Sequence, residues 1–450
     1  MRHSIFNIAL KSVKYHRKQV LYQFLIILLL TAVITGSLMT GKSVRTSLKR
    51  TAELKLGNTS VLISSGLRYF DQALTGKFGQ ASGLKCTGLL ELHGSSQGLV
   101  SQQSSNSTSI YAVGDDFFAF HNIDSIHMEP GTVTINTRLA SVIQVKEGDD
   151  IIIRFRNISD IPADAPFAPT EDENTSIVLK VGRIADESFM GDFSLTISQV
   201  STPNIFMNIS DLGNFTGKTQ KLNRLLIAGN NPDTGLVKSL LAKIIEPADA
   251  GLHIREIRKT GGCEIISDRV FIDELLINEI KNQIPEASPL ITYLANRIEK
   301  DGKINPYSFV AAVPAGIYPG SARQNGITFI SWLAEDLSAA KGDTVQMSWY
   351  APDSLNHLVE KEASFMVEDV IKMKDLRIDS MLMPDFPGIA ASESCSSWDA
   401  GIPIRTNLIR EKDEDYWDRY KGTPKAFITY ETGKKLWGSN YGPATALRFP

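Results

Sequence analysis

Two stretches of the chain carry the letters of catalytic motifs. Gly36-Ser37-Leu38-Met39-Thr40-Gly41-Lys42-Ser43 fits G-x-x-x-x-G-K-[ST], in which backbone N–H groups and a lysine cradle nucleotide phosphates at the start of a helix. That chemistry needs a short buried strand before the loop, and the apolar run here is far longer than such a strand. No later apolar strand ends in Asp to complete a nucleotide fold. Gly94-Ser95-Ser96-Gln97-Gly98 fits G-x-S-x-G, with His93 beside it. A nucleophile elbow leads straight into a helix, whereas LVSQQSSNSTS follows here, polar and without helical periodicity. The stretch from Gly94 to Ser107 therefore reads as a mobile polar hairpin tip.

Other reactive side chains fall into weaker patterns. Asp413, Glu414, Asp415 and Asp418 surround Trp417, and general acid–base work by a carboxylate pair is one use of such a cluster. A charged helix face with one buried Trp accounts for the same spacing. The seven histidines show no paired-ligand spacing, and Cys86, Cys263 and Cys395 match no metal pattern. One disulfide with a spare thiol, or three separate core thiols, both fit those cysteines. No catalytic, cofactor-binding or metal-binding residue is expected.

The element that positions everything else is Gln19–Gly41, which has no formal charge over 23 residues. As a helix rising about 1.5 Å per residue it spans the ~30 Å apolar core of a bilayer. A cleaved signal peptide is the alternative, but its apolar region is usually about 7–15 residues. Gly36-Ser37-Leu38 is also a weak cleavage site. Arg2, Lys11, Lys14, Arg17 and Lys18 precede the span, and Lys42, Arg45, Lys49 and Arg50 follow it. The charge count is near even, so size decides orientation: the short basic tail stays inside and the long remainder is translocated. The tail, residues 1–18, has Ile5, Ile8, Ala9 and Val13 spaced for one helical face and can lie on the cytoplasmic leaflet. Beyond the membrane, Val44, Leu48, Ala52 and Leu56 repeat every four residues before Gly57, which predicts a helical stalk over 42–57.

The remaining residues have the composition of a folded domain. The whole chain is 450 residues long, 42% hydrophobic and 22% charged, with net charge −3. No basic stripe stands out after Lys55, so nucleic acid is not an expected partner. Strand-like runs occur at Ser60–Ser64, Gly88–Leu92, Ser109–Val113, Ile151–Phe155, Ile177–Val181 and Phe193–Ser198. Ser159–Ser176 is acidic and holds Pro162, Pro166 and Pro169, which predicts an exposed loop. From 218 to 317 helical and extended patterns alternate, and strands return at Thr344–Tyr350, Ala363–Met373 and Ala426–Tyr430.

A short internal repeat links Leu139-Ala140, Gly148-Asp149 and the Ile151–Phe155 strand with Leu333-Ala334, Gly342-Asp343 and the Thr344–Tyr350 strand. The expected fold class is α+β: one transmembrane helix, 19–41, then a large extracytoplasmic domain of two mixed α/β subdomains. In that scheme 58–217 and 318–450 are two halves of one core, and 218–317 is inserted between them.

Several segments resemble bacterial ABC-transporter permeases of the FtsX-like/MacB type. They are the basic tail and first helix with TGxxxxGxSVRxSL from Thr35 to Leu48, including Arg45. Further on come Leu382-Met383-Pro384-Asp385-Phe386-Pro387-Gly388-Ile389, CSSWDAGIP from Cys395 to Pro403, and KDEDYWDRY from Lys412 to Tyr420. TPKAF from Thr423 to Phe427 and Leu436-Trp437-Gly438 complete the set. The resemblance implies a membrane subunit of the bacterial inner membrane with a large periplasmic domain. It also implies a separate cytoplasmic ABC ATPase and a second permease copy or homologue as partners, with no cofactor. Lys42 stands where such relatives often have an acidic residue. Relatives carry further membrane helices, while this sequence stops at Phe449-Pro450, which predicts a fragment or an incomplete product. The alternatives are a single-pass, membrane-anchored extracellular binding module and a membrane-anchored hydrolase using Ser96.

Overall fold

The computed structural model describes residues 5–449 except 67, 124–127, 157–158, 160, 162–166, 168–173, 197–199, 230–231, 258–260, 315–322, 354–356, 376–377 and 400. Helix α1 (Ile5–Tyr15) precedes α2 (Arg17–Leu56), and the two break at His16. At 40 residues, α2 is about 60 Å long. Its apolar stretch is long enough to cross a membrane, with a mean hydropathy of 2.2 over its best window and no buried residue there. The expected stalk is the same helix continued, without a break, to Leu56.

The first folded unit runs through β1 (Val61–Ser64), β2 (Phe70–Asp71), α3 (Ala73–Ser82), β3 (Cys86–Gly98), β4 (Ser104–Val113) and α4 (Asp116–Phe120). It continues through β5 (Thr132–Asn136), α5 (Thr137–Ile143), β6 (Asp150–Arg156), β7 (Asn174–Ala185), β8 (Asn204–Asn208), α6 (Ile209–Thr216), β9 (Lys221–Leu222) and β10 (Arg224–Ile227). The strand order is β1-β10-β3-β4-β8-β5-β7-β6, and β6 pairs back with β3, closing a barrel. Ile151, Ile153 and Phe155 face its core while Arg154 and Arg156 face out, the period of two that a half-buried strand requires. Asn136 caps α5 by accepting a hydrogen bond from the Leu139 N–H at 2.9 Å, which turns the chain from strand to helix. Helix α7 (Thr234–Ile244) follows and packs on α3.

A second unit repeats this plan. It comprises β11 (Leu252–Glu256), β12 (Cys263–Ser267), α8 (Glu274–Gln283), β13 (Ser288–Lys300), β14 (Lys303–Val313), β15 (Gly326–Ile330) and α9 (Ser331–Leu337). Then come β16 (Thr344–Pro352), β17 (Leu358–Ile371), α10 (Glu411–Tyr420), β18 (Ala426–Thr429), α11 (Tyr430–Trp437) and β19 (Ala446–Phe449). Its order, β11-β12-β19-β13-β14-β18-β15-β17-β16 with β16 closing on β13, matches the first unit strand for strand except for the extra β11. Parallel pairs fall at the same places, β4–β8 and β5–β7 against β14–β18 and β15–β17. Register shifts recur at Val133/Thr134 and Ile327/Thr328.

The repeat read from the sequence marks one corner of both barrels. The Gly148 N–H donates to the Val181 carbonyl at 2.7 Å, and the Gly342 N–H donates to the Val367 carbonyl at 2.7 Å. Asp149 accepts from the Lys146 N–H and Asp343 from the Ala340 N–H, each at 2.7 Å. Both glycines have φ above +90°, where a side chain would be strained.

The boundaries differ from those expected. Residues 218–317 are not an insert: β10 belongs to the first unit's sheet, β9 pairs with β2 of the same unit, and β11–β14 begin the second. Backbone pairing decides this, because β10 supplies the partner that β1 and β3 need. Three local expectations also change. Phe193–Ser198 contains no strand among its described residues. The polar stretch 94–107 is mostly paired strand, leaving only 99–103 as the tip, with Ser96 fully buried. Within Ser159–Ser176, Ile161 and Phe167 are buried in the second unit's core, Phe167 lying 4.8 Å from Tyr293 and 4.3 Å from Phe386, ring to ring. The prolines and most acidic residues of that stretch, 162–166 and 168–173, lie outside the described residues. Its two large apolar residues pin one unit to the other.

Candidate functional site: the joint between helix and barrel

The last turn of α2 meets the first barrel in a small set of contacts. The Lys55 side chain is buried, and its ammonium donates to the Val200 carbonyl at 3.0 Å. The Lys55 carbonyl accepts from the Ser194 N–H at 3.3 Å. Gly57 ends the helix with φ +56° and ψ −129°. A Cβ there would stand 2.3 Å from His121 Nδ1 and 2.8 Å from Met190 Cε, so only glycine fits. Next, the Asn58 N–H donates to His121 Nδ1 at 3.1 Å, and the Asn58 side chain donates to the Phe120 carbonyl at 2.9 Å.

His121 is the centre of this joint. Its ring lies 4.7 Å from Phe117, 4.9 Å from Phe120 and 5.6 Å from Phe193, all edge-on. Those phenylalanines belong to a compact aromatic cluster with Tyr111 and Phe206. Burial pushes the imidazole down to about pKa 4, so it is neutral at pH 7. Nδ1 then accepts from Asn58 while Nε2 carries the proton, and that N–H is buried with no partner among the described residues. The arrangement fixes a 40-residue helix to a barrel through four hydrogen bonds, to Phe120, His121, Ser194 and Val200.

The motifs with catalytic letters sit elsewhere, in conventional structure. Gly36–Ser43 is mid-helix in α2, where backbone N–H groups bond within the helix and cannot curl around phosphate. Ser96 lies within β3, fully buried and 2.9 Å from Thr108 Oγ1, while His93 is exposed. Asp413 binds Arg410 at 2.7 Å, and Glu414 accepts from the N–H groups of Cys395 and Ser396 at 2.8 and 3.0 Å. Trp417 is buried together with Tyr416 and Asp413, while Asp415 and Asp418 are exposed, so only part of the expected charged face is solvated. All three cysteines are free thiols, and burial pushes Cys395 up to about pKa 12.

Near that helix, Lys425 is fully buried, 4.5 Å from the Trp332 ring and 4.8 Å from the Tyr416 ring. Its pKa is pushed down to about 8 by burial, against the nearby Asp413 carboxylate at 3.7 Å. The void beside it is about 20 Å³, room for about one water and not for a substrate. Among the described residues no cluster of three potential metal ligands occurs. The segments that carry the permease resemblance are largely core: Leu382, Phe386, Ile389, Cys395, Trp398, Trp417 and Trp437 are all buried. Sequence reading missed His121, Ser194 and Val200, which lie far from the helix in the chain. Gly57 before a strand run was the one local signal.

No protein-family model matches the chain, and no curated protein matches it. Among solved structures it is similar to the periplasmic region of MacB from Actinobacillus actinomycetemcomitans, at 10% identity and TM-score 0.28, over 52% of this chain and 95% of that one. It is also similar to the extracellular domain of the noncanonic ABC-type transporter YknZ from Gram-positive bacteria, at 7% identity and TM-score 0.27, over 40% of this chain and 87% of that one. At TM-scores this low, neither likeness decides the fold or the activity of this chain.

Proposed function

We propose that the chain is a non-enzymatic, permease-type membrane subunit of an ABC transporter. Its two barrels stand outside the membrane and couple ATP hydrolysis on a cytoplasmic partner ATPase to export or mechanotransmission. One observation carries this reading: a single helix runs unbroken from the bilayer-length apolar stretch to a joint that holds it by four hydrogen bonds, to Phe120, His121, Ser194 and Val200. A flexible tether would suffice for a protein that only has to be anchored, whereas a rod fixed at its outer end transmits displacement. Motion of a partner in the cytoplasm would reach the first barrel along α2 and the second through Ile161 and Phe167.

The bacterial inner membrane is the matching location, with the tail on the cytoplasmic side and a second permease copy or homologue alongside. The test is purification of the tagged chain from its native host in mild detergent. The expected result is a co-purifying subunit that hydrolyses MgATP, with transport lost in Gly57→Val. Purification of a chain without ATPase activity, from membranes where Gly57→Val has no effect, would overturn the proposal.

A second reading, a membrane-anchored binding module, is favoured by one feature. An open groove of about 750 Å³ runs beside α3, lined by Asp71, Gln72, Thr75, Lys85 and Gln220 among others.

A further inference from the structure

The internal duplication shows what the first barrel lacks. In the second barrel the strand next to β19 is β12, and its far side is covered by β11, antiparallel, with Arg255 opposite Glu264. In the first barrel the counterpart of β12 is β1, which has β10 on one side and, among the described residues, no strand on the other. The registers align: Val61↔Ile227, Leu62↔Leu226 and Ile63↔Leu225 correspond to Cys263↔Phe449, Glu264↔Arg448 and Ile265↔Leu447. The same displacement in sequence relates Phe70↔Leu222 to Ile272↔Ala444, so the alignment does not rest on one strand. In the first unit the residues ahead of β1 form the end of α2, and so cannot supply a covering strand.

The chemistry of the open edge differs from that of the covered one. Glu264 is 0% exposed, bonded to Arg255 on β11 at 2.5 Å and to Arg448 on β19 at 2.7 Å. Leu62 takes its place, with apolar Leu226 in place of Arg448, and is 39% exposed. A strand added to β1 must therefore present an apolar residue opposite Leu62, where β11 presents arginine. An uncovered edge with an apolar side chain is a template for pairing, and proteins generally blunt such edges with charge or cover them. β1 carries neither Lys nor Pro.

We propose that β1 pairs antiparallel with β1 of a second copy of this chain, about a twofold axis through Leu62. Antiparallel pairing about that point sets Leu62 against Leu62 of the other copy, the apolar partner that the comparison of the two barrels calls for, and it is isologous, as a closed dimer requires. The strand is short, so the contact is weak by itself. Two copies in one bilayer meet at high effective concentration, which makes a weak contact sufficient. The proposal rests on the membrane-subunit reading only in that both copies share a membrane.

The test is cysteine cross-linking of the full chain in native membranes, with Cys86, Cys263 and Cys395 first replaced by Ser, Ser and Ala. Directly opposed residues of an antiparallel pair lie about 4.5–5.5 Å apart at Cα, inside the range a disulfide spans. Leu62→Cys is expected to give a disulfide-linked homodimer under mild oxidation. Val100→Cys, at the 86% exposed tip of the β3–β4 hairpin, should not. A companion variant, Leu62→Lys, should lower the dimer fraction in detergent at least several-fold while circular dichroism stays unchanged. No dimer at position 62, equal cross-linking at position 100, or a link from position 62 to a different protein would each overturn the proposal. Co-purification of an ATPase is unaffected by any of these outcomes, so failure here is distinguishable from failure of the membrane-subunit reading.

Discussion

The two barrels share a strand order and differ in what is attached to each. The first receives the membrane helix at His121 and leaves β1 uncovered. The second covers the equivalent edge with β11 and locks it with Glu264, Arg255, Arg448 and Asp379. Its link from β17 to β18, with α10 inside it, is also much longer than the first barrel's link from β7 to β8. Yet both links perform one common act: the first accepts a hydrogen bond from Lys55 at the Val200 carbonyl, the second from Arg255 at the Met381 carbonyl. Each copy has a cation-to-carbonyl contact beside the same edge, made by residues that are not equivalent in sequence: in the first it holds the end of α2, in the second it holds a strand.

The largest effects should come from breaking what is unique to the second barrel. Glu264→Leu leaves Arg255 and Arg448 beside a buried apolar group and should cost about 3–5 kcal/mol in denaturant unfolding. Adding Arg448→Leu rebuilds the Leu62/Leu226 pair of the first barrel and should restore part of that loss. If the double variant is less stable than the single, the equivalence of the two edges is wrong. Phe167→Ala should cost a similar amount, about 3–5 kcal/mol, and it should split unfolding into two transitions. A single transition in that variant would show that the units are joined by other means.

The next effect is specific to the first barrel. Folding holds the His121 pKa at about 4, below the ordinary 6.5, so the unfolded chain binds the extra proton first as pH falls. Its stabilising contribution is full above about pH 6.5 and is lost progressively toward pH 4. The loss is on the order of 3 kcal/mol, and His121→Gln should flatten it. An unchanged pH profile in His121→Gln would contradict the buried neutral imidazole. Ser96→Ala should do least: about 1 kcal/mol from the hydrogen bond to Thr108, and no change in labelling by a fluorophosphonate probe.

How much of this was legible in the sequence depends on whether the signal was local. The uncharged span Gln19–Gly41, the four-residue repeat through Leu56 and the stop at Gly57 are consecutive, and α2 runs through them from Arg17 to its cap at Gly57. The repeat of Leu-Ala, Gly-Asp and strand was real, since it marks a corner whose backbone geometry both barrels need. Its scale was not visible, because the strands that complete each barrel share topology without sharing residues. The stretch 218–317 looked distinct for the same reason, as the end of one copy runs into the start of the next. In Ser159–Ser176 the acidic and proline residues outweighed Ile161 and Phe167, whose burial depends on a surface in the other barrel. The joint was hidden most completely, since Gly57 signalled a helix stop but nothing near it pointed to His121 or Val200.

The central claim is that α2 and the first barrel move as one body. Spin labels at Leu48 on the stalk and Leu99 at the hairpin tip, both exposed, allow that distance to be measured by pulsed electron resonance in lipid bilayers. The account gives a single narrow distance distribution for the full chain, which broadens when Gly57→Val forces the joint apart. A broad distribution without that substitution would mean the helix is a tether, and the lever would be contradicted.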